Sequence, residues 1–97
     1  MRVKVGERLG LTYNGGASGT VLGPAVVLAV RETPNSAYKQ RADFRMQHGD
    51  VMDRPVHGDW VLKKSQCEAK TLEVWGPIWE RLAAEDWEPP ADESGGK

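Results

Sequence analysis

Two histidines and the carboxylates beside them stand first among the residues that could do chemistry. His48-Gly49-Asp50 is echoed by His57-Gly58-Asp59, with Asp53 between them. Imidazole and carboxylate ligate divalent metals and exchange protons near neutrality. His48, Asp50, His57 and Asp59 are therefore the candidate metal or acid–base set. Their spacing matches no metal-ligand pattern, and Gly-Asp is also a common turn element before a strand. Two turn histidines are the simpler expectation.

Other catalytic chemistry is thin. Cys67 is the only cysteine, so no disulfide can form within the chain and a cytoplasmic location is expected. No basic residue lies closer to it than Lys64 and Lys70, so nothing nearby in sequence lowers its pKa. The stretch Asn14 to Thr20 is rich in glycine, and such loops can wrap phosphate with backbone N–H groups. A P-loop would need a lysine there and a helix after it; this loop has neither, and reads as a hairpin turn. No nucleophile–base pair and no cofactor fingerprint appears. The expectation is a protein that is not an enzyme and carries no cofactor.

The cations carry a clearer pattern. Residues 1–70 hold eleven Lys/Arg and seven Asp/Glu, whereas residues 71–97 hold two and seven. The net charge of −1 thus hides a charge of +4 followed by one of −5. In the first segment Val3, Val5, Leu9, Leu11 and Tyr13 fall on one parity, and Arg2, Lys4 and Arg8 on the other. Between Ala37 and Met46 the residues Tyr38, Gln40, Ala42, Phe44 and Met46 alternate with Lys39, Arg41, Asp43 and Arg45. Period two means a strand with one buried face. If those two strands are neighbours, Arg2, Lys4, Arg8, Lys39, Arg41 and Arg45 share one face against Asp43 alone. Such a face could track a phosphate backbone. Solvent faces of strands also carry Lys and Arg simply to discourage aggregation.

The elements that must position these residues follow from pattern and punctuation. Gly6 and Gly10 suggest a bend or bulge in the first strand. Thr20 to Arg31 is apolar on both parities, which places Ala25 to Arg31 at a central position or beneath a helix. Gly23-Pro24 divides that segment. Thr33-Pro34-Asn35-Ser36 is a turn. Gln47 to Gly58 reads as a long loop. Asp59 to Lys64 reads as a strand with Trp60 and Leu62 inward, and Ala69 to Val74 as its hairpin partner. A helix is expected to start at Gly76-Pro77 and run to about Asp86, with Ile78, Trp79, Leu82 and Ala83 as its apolar stripe. Glu88 to Lys97 reads as an acidic disordered tail after one compact domain over residues 1–87.

The expected architecture is mainly β with one C-terminal helix: a small, strongly bent antiparallel sheet or SH3-like partial barrel of about five strands. Val3-Lys4-Val5-Gly6-Glu7-Arg8-Leu9 followed by Gly19-Thr20-Val21 resembles the opening of SH3-like small barrels. The resemblance implies an architecture and no particular function.

With 97 residues, 39% hydrophobic and 28% charged, the chain is an ordinary globular domain with no membrane-length apolar run and no signal-peptide pattern at its start. The leading expectation is a small regulatory binding protein. It would act by occupancy, docking its basic sheet face on nucleic acid or a nucleoprotein complex. The alternative is a protein–protein inhibitor or adaptor, of the kind that phages or mobile elements set against a host machine. It would use the acidic Trp-containing end: Glu80, Glu85, Asp86, Trp87 and Glu88. The bland reading of Trp87 is a side chain that folds back to stop the helix. An exposed edge strand could also pair two copies of the chain.

Overall fold

The computed structural model describes residues 1–13, 20–84 and Trp87. Five strands form one antiparallel sheet that is not closed. They are β1 (Arg8–Tyr13), β2 (Thr20–Glu32), β3 (Gln40–Met46), β4 (Val51–Pro55) and β5 (Val61–Lys63), in the order β4-β3-β2-β1-β5. A 3₁₀ turn over Lys64–Gln66 leads into helix α1 (Ala69–Leu82).

The doubly apolar β2 is the central strand, and the reason is visible on its two faces. Ala25 and Val27 enter a core with Leu9, Leu11, Ala42, Phe44, Met46 and Val61. Val26, on the opposite parity, packs instead against Trp79 and Leu82 of α1. The larger core has no helix over it. The sheet therefore curls around its own apolar face, and the N-terminal segment covers part of it with Val3. Two register shifts assist the bend, between Leu11 and Thr12 of β1 and between Val27 and Ala29 of β2. Bulges of this kind increase local twist. Gly23-Pro24 does not divide β2; the strand runs through both.

The N-terminal segment is tied down before β1 begins. The Val3 N–H donates to Gln40 Oε1 at 2.8 Å, and Gln40 Nε2 donates to the Val3 carbonyl at 3.1 Å. A buried side-chain amide thus replaces a strand partner. Gly6 then turns the chain at φ +86°, with the Glu7 N–H donating to the Lys4 carbonyl at 3.0 Å. Glycine meets that angle without steric cost. Val5 sits at the tip of this turn and is 60% exposed, so its parity does not bury it.

Several expectations are corrected. Ala69 to Val74 is not a strand but the first half of α1. Leu72 and Val74 suggested period two, yet Val74 is 64% exposed. The expected stripe of Ile78, Trp79, Leu82 and Ala83 does pack in the helix core, and Leu72 and Trp75 extend it into the first half of α1, a helical spacing. Pro77 lies inside this helix rather than at its start. It cannot donate to the Glu73 carbonyl, a local cost that docking on the sheet overrides. The helix ends at Leu82, and its expected extension to Asp86 falls partly outside the described residues.

Gln47 to Gly58 is not all loop, because β4 lies within it. Its outer residues give little alternation, with Val51 56% exposed, and its order comes from pairing with β3. In β5 the parity is reversed. Val61 is the residue in the core, Leu62 lies opposite Gly10, and Trp60 packs only at the edge of the core. Tyr38 and Lys39 precede β3 and belong to the turn before it rather than to the strand.

Gly10 has a role that its sequence context did not suggest. A Cβ there would lie 2.6 Å from the ring of Trp75. The missing side chain is the seat on which the indole rests. No helix among the described residues is long and apolar enough to cross a membrane.

Candidate functional site

The six cations predicted for one face are dispersed. β2 lies between β1 and β3, so the two basic strands are not neighbours. Most of the cations also have partners within the molecule. Arg2 pairs with Glu32, and Lys39 Nζ donates to the Pro34 carbonyl at 3.1 Å. Arg41 Nε lies 3.2 Å from Asp53, in a network where Arg31 bridges Asp43 and Asp53 across three strands. Arg45 Nη1 donates to the Leu82 carbonyl at 2.9 Å and its guanidinium stacks 4.3 Å from the Trp87 ring centre. That arginine satisfies a helix C-terminus, where a cation is favourable. It ties α1 to β3 rather than facing a partner.

Lys4 and Arg8 behave differently. With Lys63 and Lys64 they line an open cleft of about 570 Å³ between the Val5-Gly6 turn and the end of β5. Glu7 is the only carboxylate of its lining among the described residues. The fold explains the convergence. Antiparallel pairing sets Leu9 opposite Lys63, so the residues just before β1 meet those just after β5. Lys63 is partly spoken for, by a salt bridge to Glu7 and a 2.8 Å bond to the Arg2 carbonyl. Lys64 is exposed, its Nζ standing 5.4 Å from the Trp79 ring centre. Arg8 is paired with Glu80, its Nη2 donating to one carboxylate oxygen at 3.4 Å. Its Nε lies 3.0 Å from a Glu80 oxygen but off the angle of a hydrogen bond, and that buried nitrogen has no hydrogen-bond partner. The ion pair is weak, since Glu80 is largely exposed and surface pairs contribute little. A concave site lined by four cations, of which Lys4 and Lys64 are exposed while Arg8 and Lys63 pair with Glu80 and Glu7, suits an anionic group.

Compared with family models, curated proteins and solved structures, the chain matches none of them significantly. The functional reading therefore stands on the site alone.

Lys63 and Lys64 are the site residues that sequence reading missed. Their signal was a dibasic pair closing a strand, but nothing in the sequence places that strand beside the first one. The remaining predicted groups do not assemble. Among the described residues no cluster of three or more His, Cys, Asp and Glu is placed to hold a metal. His48 and Asp50 sit in the β3–β4 turn, where Gly49 adopts φ +97°. His57 and Asp59 sit beyond the other end of β4, with His57 Nδ1 3.5 Å from an Asp59 oxygen. Cys67 is half-buried, and burial pushes its thiol pKa up, which opposes thiolate chemistry.

At the acidic end, Trp87 turns inward. Its backbone N–H donates to the Ala84 carbonyl at 3.1 Å and its ring packs at the edge of the α1 core. That is the folding-back arrangement rather than an exposed docking residue. Glu85, Asp86 and Glu88, the glycine-rich stretch 14–19 and the acidic tail lie outside the described residues.

The surface ion pairs predict a pH dependence of stability. Hydrogen bonding from Arg2 holds the Glu32 carboxyl below its ordinary pKa, with help from Gln40. Arg31 does the same for Asp43. A carboxyl with a lower pKa folded than unfolded adds stability above its unfolded value, and loses it as pH falls through the folded value. Stability should therefore hold level down to about pH 5 and fall below about pH 4. Urea midpoints measured from pH 7 to pH 2 should show this fall, reduced in a Glu32→Gln, Asp43→Asn double variant. An unchanged acid profile in that variant would reject the assignment. Added salt should shrink the effect, because both pairs are open to solvent.

Proposed function

We propose that this is a small binding protein that acts by occupancy and docks on the phosphates of nucleic acid, alone or within a nucleoprotein complex. The observation that carries this reading is the cleft of Lys4, Arg8, Lys63 and Lys64, in which Glu7 is the single carboxylate among the described residues. Phosphate backbones attract clustered cations by releasing condensed counterions, so affinity falls linearly with salt on logarithmic axes. Arg41 and Arg45, the most promising contacts by strand parity, are engaged inside the fold. The reading accordingly moves to the cleft. The acidic end is a poorer candidate for a partner surface, because Glu80 answers Arg8 and Trp87 answers Arg45.

The test is fluorescence anisotropy with labelled DNA and RNA oligonucleotides across a salt series. Four phosphate contacts would give a log–log slope of roughly −3 to −4. A Lys4→Ala, Lys64→Ala double variant should bind more weakly, with the slope reduced in size by about 1.5–2. Both lysines are exposed, so the fold should survive. Absence of binding at low salt, or an unchanged slope in the double variant, would overturn the proposal; the first result would leave the protein-partner alternative.

A further inference from the structure

A second cleft is lined by the start of the same N-terminal segment. It encloses about 260 Å³ between Arg2, Tyr38, Lys39 and His57, on a floor that includes Val56. Tyr38 and His57 meet edge to face, their ring centres 5.0 Å apart at 70°. An edge-to-face pair occupies one face of one ring only, which leaves aromatic surface for a further stacking partner. The volume is below the roughly 300–1,000 Å³ of drug-sized pockets, so it suits one ring system rather than a whole cofactor. Two cations stand at its rim. The lining is thus aromatic, apolar and cationic in one small space.

The two clefts are coupled through the backbone. Arg2 lines one and Lys4 lines the other, so at most about 7 Å of chain separates them. The clamp of Gln40 on Val3 holds that short stretch rigidly between them. A flexible polyanion with planar side groups matches this pairing. Its phosphates would lie in the lysine cleft, and one base would turn into the aromatic cleft.

We infer that the nucleic acid is single-stranded, with one base stacked on the aromatic surface that the touching Tyr38–His57 pair leaves free; this rests on the proposed phosphate contact at the lysine cleft. A duplex cannot offer a base to that pocket without unpairing and unstacking it, at a cost of a few kcal/mol. Single strands pay little for the same rotation, and base–aromatic stacking tolerates any sequence.

The experiment compares a labelled single strand of roughly 12 nucleotides with a duplex of equal length, in wild type and in Tyr38→Ala, Tyr38→Phe and His57→Ala variants. Circular dichroism checks that each variant folds. The single strand should bind more tightly than the duplex. Tyr38→Ala should weaken single-strand binding by roughly 5- to 150-fold and leave duplex binding unchanged, while Tyr38→Phe retains most of the affinity. A 2-aminopurine base in the strand should be quenched on binding wild type, and not on binding Tyr38→Ala. Equal affinity for duplex and single strand, or an unaffected Tyr38→Ala, His57→Ala pair, would overturn this inference and leave the lysine-cleft reading standing. No binding of either nucleic acid would overturn both. Weakening by Lys4→Ala, Lys64→Ala without any response at Tyr38 would locate the phosphate contact and reject the base pocket.

Discussion

Replacing Trp79 with alanine should destabilise this domain by about 3–5 kcal/mol. Its ring is 1% exposed and packs with Val26 and Leu82. Its Nε1–H donates to the Leu9 carbonyl at 2.9 Å, and its ring meets Trp75 edge to face at 5.8 Å. The substitution would remove the central anchor of α1 and leave a void between helix and β2. Natural domains of this size hold only about 5–15 kcal/mol in total, so much of the fold's margin would go. Trp79→Phe keeps most of the ring and loses the hydrogen bond, and should cost far less, about 1–2 kcal/mol. Urea unfolding monitored by far-ultraviolet circular dichroism measures both. Similar losses in the two variants would show that the hydrogen bond, not the packing, dominates.

Gln40→Leu should cost about 2–4 kcal/mol and also weaken anion binding. Gln40 is 3% exposed. Leucine fits the volume, but it leaves the Val3 N–H and C=O without their partners. Each buried unsatisfied group costs about 1–3 kcal/mol. The chain would relieve this by shifting the Val3 backbone, against the packing of Val3, the Arg2–Glu32 pair and the Lys63 bond to the Arg2 carbonyl that also hold this end. Lys4 follows Val3 directly, so one wall of the lysine cleft would shift with it. The expected signature is a lower urea midpoint together with weaker oligonucleotide binding. Stability loss with unchanged affinity would mean that Lys4 does not need the clamp, and would weaken the case for the cleft as the docking site.

Much of the fold was legible because period-two patterns report burial directly. Gln40, Ala42, Phe44 and Met46 alternate and are all buried. The apolar run of β2 announced a strand covered on both sides, and it is. The errors arose where a local signal was overruled by tertiary contact. Pro77 looked like a helix start, yet the stripe Leu72, Trp75, Trp79, Leu82 gains enough from docking to carry the helix through it. β4 has little pattern of its own and owes its order to hydrogen bonding with β3. A backbone ladder needs no particular side chain, so such a strand leaves a weak trace in sequence.

The candidate site was less legible still, for a different reason. Parity assigns a cation to a face of its own strand and says nothing about which strand lies beside it. Arg2, Lys4 and Arg8 were correctly placed away from the apolar parity, but strand order then separated them from Arg41 and Arg45. Ion pairing absorbed five of the six predicted cations or fastened them to backbone. Lys63 and Lys64, fifty-five or more residues downstream of Arg8, became neighbours of Lys4 because β5 returns to pair with β1.

The sequence by itself determined the strand faces, the mainly β composition with one late helix, and the excess of cations before residue 70. Only the tertiary structure decided which of those cations meet. Side-chain periodicity is a property of one strand, whereas a site is made by neighbours, and neighbours are chosen by chain closure and by the burial of Val26, Trp79 and Leu82 between helix and sheet.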